Sequence, residues 1–259
     1  MLVSNDDGIR APGLWALADS LRKVGEVIIV APDREQSAVG AGITLHQPIR
    51  LSEVNPYIPG IKAYAVEGTP SDSIIVALRL LLKDPIDIVF CGINEGANLG
   101  DDVILSGTVG AAMQGHFQGL PAVALSVELG KRMHFEVAAQ LAALLAPRLV
   151  NTRSTSTAFL NVNIPNKPIS SIKGIDITRL ARRQYQDILT EGHDGKRKYY
   201  WITRGTPQWN DVGGTDVGAI RNSNISITPL YSDLTDTSHQ HIYASYVQGL
   251  FEDLTRSNE

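Results

Sequence analysis

The chain has 259 residues, 43% of them hydrophobic and 19% charged, with a formal net charge of -4. That is enough chain to bury a sizeable core in one domain or in one domain with an appendage. The negative balance argues against a surface built to coat a nucleic acid polymer or an anionic membrane, since both need clustered Lys and Arg. The single Cys91 excludes an intrachain disulfide and a zinc site built on several cysteines. The opening residues Met1-Leu2-Val3-Ser4-Asn5-Asp6-Asp7 lack the basic and apolar regions of a secretory leader. The longest apolar stretch, around residues 137–146, is interrupted by Gln140 and is too short to span a bilayer. A cytoplasmic protein is expected.

Leu2-Val3 is predicted to end a first strand. From there Leu14, Leu17, Leu21 and Val24 recur at helical spacing, with Gly25 as the expected C-terminal cap. The continuous apolar run 27–31 predicts a strand covered on both faces, and residues 61–66 a further one. Thr69 as cap, Pro70 at the first helical position and Asp72 facing the helix dipole predict a helix from residue 70 to about Lys83. A strand over 86–90, a helix of small residues over 107–118, a strand over 122–127, a long helix over 134–149 and a strand over 159–162 follow. Strands alternating with helices predict an α/β fold, a doubly wound and mostly parallel sheet. Ligands of such sheets gather at the carboxyl ends of the strands.

Beyond Pro165 the pattern changes. Residues 175–180, 198–202 and 225–227 read as β-like runs, and 242–254 as a helix with apolar pairs Ile242/Tyr243, Tyr246/Val247 and Leu250/Phe251. We expect one domain: a core of about residues 1–165 plus 225–236, with a hairpin and C-terminal helix extension over about 175–259. The apolar face of the tail helix must be buried. Packing against its own domain and embracing a second subunit to form a homo-oligomer are both open on the residues alone.

Four segments could carry chemistry. Asn5-Asp6-Asp7-Gly8 follows the first strand, and its adjacent carboxylates repel each other unless a cation offsets the cost; a hard ion such as Mg²⁺ or Mn²⁺ suits those oxygens. In 32–40, after another strand, Ser37 could supply a hydroxyl ligand and Arg34 could approach an anion. The Gly-rich segment 92–100 places Asn94 and Asn98 just beyond a third strand, and the Asn94 carbonyl could meet a metal. Ser106-Gly107-Thr108 opens a helix whose N–H groups and hydroxyls form a phosphate cradle. Each segment alone also fits a plain structural role, as a cap, a surface loop or a close-packed helix start. The topology brings all four to one sheet edge, and that convergence favours a metal and phosphate site. Neither G-x-G-x-x-G nor G-x-x-x-x-G-K-[ST] occurs, so dinucleotide and P-loop chemistry have no support. His239 and His241 alone among the histidines lie close together, and they are expected to be solvated. No Ser-His-Asp order is recognisable.

These same segments resemble the survival protein E (SurE) family of nucleotidases. The match includes Asn5-Asp6-Asp7-Gly8, Ala31-Pro32-Asp33 with Gln36-Ser37, Gly68-Thr69-Pro70, Gly92-Ile93-Asn94 with Gly96 and Asn98, and Ser106-Gly107-Thr108-Val109. Later it includes Asn161-Val162-Asn163-Ile164-Pro165, Tyr199-Tyr200-Trp201, Gly214-Thr215-Asp216 and Thr228-Pro229-Leu230. The resemblance implies a Rossmann-like domain whose C-terminal hairpin and helix exchange between subunits in dimers or tetramers. It implies that Asp6, Asp7, Ser37 and Asn94 coordinate one divalent metal ion, Mn²⁺ or Mg²⁺. It also implies hydrolysis of nucleoside 5′- and 3′-monophosphates, with some activity on short polyphosphate. Cys91, Leu105, Ala41, Ser73 and the turn Gly192-His193-Asp194-Gly195 depart from the family pattern without removing a metal ligand, so they bear on substrate preference.

On this reading Asp6, Asp7, Asn94, Asn98, Ser106 and Thr108 form the catalytic set. Asn98, Ser106 and Thr108 hold the phosphoryl oxygens, and Asp6 acts as general base as well as ligand. The D-x-D-x spacing of phosphatases that form an aspartyl-phosphate is absent, which favours direct attack by water. The rivals are a polyphosphatase or sugar phosphatase, a non-catalytic nucleotide-binding regulator, and a nicotinamide-dependent oxidoreductase.

Overall fold

The computed structural model describes residues 1–81, 85–151, 157–184, 187–204, 208–210 and 213–256. In chain order the elements are β1 (Leu2–Ser4), α1 (Pro12–Leu21), β2 (Ile28–Pro32), β3 (Leu51–Glu53), β4 (Lys62–Val66), α2 (Pro70–Val76), β5 (Val89–Glu95), α3 (Gly107–Phe117), β6 (Ala122–Val127), α4 (Phe135–Asn151) and β7 (Phe159–Ile164). There follow β8 (Gly174–Ile177), β9 (Arg182–Gln184), β10 (Asp187–His193), β11 (Lys198–Arg204), β12 (Gln208–Asn210), α5 (Asp216–Arg221), β13 (Asn224–Pro229), α6 (Gln240–Val247) and α7 (Leu250–Arg256).

Among the described residues nine strands form one sheet in the order β3-β4-β2-β1-β5-β6-β7-β13-β8. The six central strands β4, β2, β1, β5, β6 and β7 are parallel, β3 is antiparallel at one edge, and β13 returns antiparallel to β7 with β8 parallel beside it. The expected α/β, mostly parallel sheet is therefore observed. Alternation along each strand divides the core between the two faces. On β6, Val123, Leu125 and Val127 share one face with the apolar side of α1 and with α4, while Ala122 and Ala124 face α2 and α3. The alanines of β6 and Ala111 and Ala112 of α3 are fully buried, small side chains that let this helix lie close over the sheet.

Local chemistry explains most boundaries. α2 starts in a capping box: the Asp72 N–H donates to Thr69 Oγ1 at 3.1 Å and the Thr69 N–H donates to Asp72 Oδ2 at 2.8 Å. Asp72 also accepts from the Thr44 N–H at 2.9 Å and the Thr44 hydroxyl at 2.6 Å, so it ties the segment after β2 to this helix. The predicted end of that helix near Lys83 lies outside the described residues.

Three expectations need correction. α1 ends at Leu21 with Arg22 as its cap, and Val24 is half exposed beyond it, so Gly25 caps nothing. β5 begins at Val89 and continues to Glu95, because Gly92 and Asn94 pair with Leu125 and Ser126 around a bulge; half of the supposed Gly-rich loop is strand. The tail is two helices, α6 and α7, with Gln248 and Gly249 between them. Beyond the core, β10 and β11 form the expected hairpin, and β8 joins the main sheet. Leu189, Tyr200, Trp201 and Ile202 of the hairpin and Tyr246, Leu250, Phe251 and Leu254 of the tail are exposed. Among the described residues no helix is long and apolar enough to cross a membrane.

Candidate metal and phosphate site

The segments after β1, β2 and β5 and the start of α3 meet at the carboxyl ends of the parallel strands, around a cleft of about 430 Å³. After β1 the Asn5 side chain closes a turn: the Gly8 N–H donates to Asn5 Oδ1 at 3.2 Å and Asn5 Nδ2 donates to the Gly8 carbonyl at 3.0 Å. Gly8 has φ +96, and a Cβ there would stand 2.9 Å from the Arg34 carbonyl carbon, so the turn needs glycine for both conformation and room. The Gln36 N–H donates to the Asp6 carbonyl at 2.8 Å and locks the segment after β2 onto this turn.

Asp6 is 4% exposed, and the Thr108 hydroxyl donates to its Oδ1 at 2.5 Å. Burial raises the Asp6 carboxyl above its ordinary range, and the Thr108 hydrogen bond opposes that rise. Asp7 is pushed up to about 7, first by burial and then by the charge of Asp6; the Glu95 N–H, donating to Oδ2 at 3.3 Å, works against this. Two carboxylates are thus held side by side with too little compensation to be comfortable as anions.

The other expected ligands border the same cleft. The Ser37 hydroxyl donates to Glu35 Oε1 at 2.6 Å. Asn94 Nδ2 donates to the Gly96 carbonyl at 2.7 Å, which fixes the amide and leaves Oδ1 as its free acceptor. Asn98 also lines the cleft, and Ser106 caps α3, its Oγ accepting the Val109 N–H at 3.2 Å. Thr108 differs: it is fully buried, its hydroxyl is committed to Asp6, and it is not part of the cleft wall. Arg34 also stays outside, its guanidinium 3.8 Å from Asp33. His239 and His241 are exposed, with His239 Nδ1 2.8 Å from Asp236.

The wall carries Asp6, Asp7, Glu35, Glu95 and Asp102; among the described residues no Lys or Arg lines it, although Arg183 pairs with Asp102 from behind. The carboxylates of such a cleft repel an anionic ligand, and a cation would offset that repulsion. The donor set fits a hard divalent ion: two carboxylates plus neutral oxygens from Ser37 and Asn94. No group of three His, Cys, Asp or Glu placed to hold a metal occurs among the described residues, in keeping with a set that is half neutral.

Sequence reasoning missed the carboxylates Glu35, Glu95 and Asp102, the apolar Leu129 and the groups behind Asn98, while Leu105, singled out for substrate preference, does line the cleft. The groups behind Asn98 had a signal. Asn161 and Asn163 are two amides at period two on an otherwise apolar strand, which puts both on one buried face.

Fold and site together define a doubly wound α/β protein with an acidic ligand cleft at the carboxyl ends of its parallel strands, beside a helix N-terminus. The chain belongs to the survival protein SurE family, whose model matches residues 1–187. It is 48% identical over 236 residues to the 5′-nucleotidase SurE of Dehalococcoides mccartyi (strain CBDB1), covering 90% of this chain and 89% of that one. With the 5′-nucleotidase SurE of Moorella thermoacetica it shares 44% identity over 252 residues, covering 97% of each chain. Among solved structures, the SurE protein from Aquifex aeolicus superposes with a TM-score of 0.80 at 35% identity, covering 95% of this chain and 98% of that one.

Proposed function

We propose that this chain is a divalent-metal-dependent phosphomonoesterase that hydrolyses nucleoside 5′-monophosphates to nucleoside and phosphate, with 3′-monophosphates and short polyphosphate as further substrates. The observation that carries the reading is the acidic cleft, lined among the described residues by no Lys or Arg and set against the N-terminus of α3. The relatives' name, 5′-nucleotidase, supplies the substrate class.

Asp6, Asp7, Ser37 and Asn94 hold the ion, Mn²⁺ or Mg²⁺. When bound, it supplies charge neutralisation at the phosphoryl group and a lowered pKa for the attacking water. Asn98 and the N–H groups at the start of α3, with Ser106, grip the phosphoryl oxygens where charge builds. Thr108 acts one step back: its hydroxyl takes Asp6 Oδ1 and leaves Oδ2 to accept the proton of the water. That water's oxygen bonds to phosphorus as the ester P–O bond breaks, and the departing nucleoside oxygen takes a proton from solvent, to which Asp6 returns the one it accepted.

Phosphate release from AMP is the test. Chelated protein is expected to be inactive and added Mn²⁺ to restore turnover, with sugar phosphates and short polyphosphate ranked below the nucleotides in the same assay. Activity that survives complete chelation would remove the metal from the proposal.

The exposed apolar side chains of the β10–β11 hairpin and of α6 and α7 are best buried against a second copy, so we read the chain as a homo-oligomer. Light scattering should give a dimer or tetramer, and Trp201→Glu with Ile202→Asp should shift it toward the monomer. A wild-type monomer at tens of micromolar would exclude this arrangement.

A further inference from the structure

A polar row crosses the sheet behind the cleft. Asn94 on β5 is in register with Ser126 on β6, Ser126 with Asn163 on β7, and Asn163 with Ser226 on β13. Asn161 lies two residues before Asn163, and hence on the same face. Ser126, Asn161 and Asn163 are fully buried in strands that are otherwise apolar, and Ser226 is fully buried on β13. Buried polar groups are costly unless their hydrogen bonds are made. The bonds of three of them converge on one residue, Asn98.

The Asn98 peptide is held from both sides. Its N–H donates to Asn163 Oδ1 at 2.8 Å, and its carbonyl accepts from Asn163 Nδ2 at 3.0 Å and from Asn161 Nδ2 at 2.8 Å. Asn163 thus pairs with Asn98 as a neighbouring strand would, donating and accepting at once through the two ends of its amide. The Asn98 side chain is fixed separately, as its Nδ2 donates to Ser126 Oγ at 2.9 Å. One N–H of that amide is thereby used, and the other is left for a ligand in the cleft that Asn98 lines.

We infer that Ser126, Asn161 and Asn163 are positioning residues for the hydrolytic reaction: they fix the backbone and the side-chain rotamer of Asn98 so that its free N–H is aimed before substrate arrives. The inference rests on the reading of Asn98 as a phosphoryl contact. A preset donor loses no rotamer freedom on binding, whereas a loose one must be ordered at each encounter. Ser126 is the separable member, because Ser126→Ala keeps the size and the strand while removing the acceptor for Asn98.

The experiment is a double-mutant cycle on Ser126→Ala and Asn98→Ala, read in phosphate release from AMP, inhibition by inorganic phosphate and direct Mn²⁺ titration. Ser126→Ala is expected to raise KM and the inhibition constant of phosphate together, about tenfold, with a smaller change in kcat and unchanged Mn²⁺ affinity. Asn98→Ala should cost more, and the double variant should be no worse than Asn98→Ala alone, since Ser126 acts only through Asn98. Asn163→Ala, which frees the Asn98 peptide, should show the same non-additivity with Asn98→Ala. If Asn98→Ala costs activity but the two effects add in full, Ser126 is structural and the inference fails while the site stands. Wild-type kinetics in Asn98→Ala would overturn the assignment of Asn98 itself, and the inference with it.

Discussion

Asp7→Ala is expected to lower kcat/KM for AMP by about a thousandfold, equivalent to roughly 4 kcal/mol of transition-state stabilisation, while leaving the metal-free fold at least as stable as before. Both halves follow from one feature. Asp7 is a carboxyl held beside Asp6, with burial and that neighbouring charge pushing it up to about 7 from 3.8. A group so raised binds its proton more tightly in the folded chain than in the unfolded one. Its contribution to stability is full below about pH 3.8 and is lost as pH rises through 7. Metal-free wild type should therefore lose melting temperature between pH 5 and pH 8 more than Asp7→Ala does, and Mn²⁺ should stabilise wild type more at pH 8 than at pH 5. Melting curves in chelator and in Mn²⁺, with phosphate release alongside, check both halves. A variant with near-normal turnover and the same Mn²⁺-dependent stabilisation as wild type would sink the assignment.

Much of this site was legible before any coordinates, for a physical reason. Strands buried on both faces must be continuously apolar, so 27–31 and 122–127 declare themselves, and the carboxyl-end rule then brings their following segments together without knowledge of strand order. The acidic turn, Ser37, Asn94, Asn98 and Ser106 all meet around one cleft as that rule requires. What could not be read depends on register. Gly92 and Asn94 have poor strand propensity, yet they pair with Leu125 and Ser126 because the neighbouring strand offers ladder partners. Thr108 sits where a helix start usually faces an anion; only the packing of α3 over β5 and β6, with its start against the turn after β1, brings its hydroxyl to Asp6. The tail reads as one helix because its apolar pairs keep helical spacing across Gln248 and Gly249, and periodicity carries no information about a break between two such segments.

Gly107→Ala should damage both stability and turnover although it touches no functional group. Gly107 opens α3, where helix propensity alone favours alanine by roughly 0.5–1 kcal/mol. The local geometry opposes it. A Cβ at this position would stand 2.8 Å from Asp6 Cβ, 3.0 Å from Asp6 Oδ2 and 3.1 Å from the Gln36 carbonyl oxygen. Neither side can yield cheaply. Asp6 Cβ is fixed by the β1 backbone and by the Thr108 hydroxyl, and Gln36 is tied to Asp6 by its N–H. Overpacking of this kind costs about 1–3 kcal/mol, which exceeds the propensity gain, so a net loss of stability is expected. The larger effect falls on function. To relieve the contact, the start of α3 must retreat from Asp6 by several tenths of an ångström, carrying Ser106 and the helix N–H groups away from the Asp6 carboxyl and from the ion proposed to sit there. Misplacement on the scale of an ångström costs about a hundredfold in rate. Turnover of AMP should fall toward that order, and Mn²⁺ affinity should fall with it because the Thr108 hydroxyl that holds Asp6 moves with α3. Gly107→Ala protein that binds Mn²⁺ and hydrolyses AMP as wild type does would show that α3 and Asp6 are not held against each other, and the coupling between the metal ligands and the phosphate cradle would have to be abandoned.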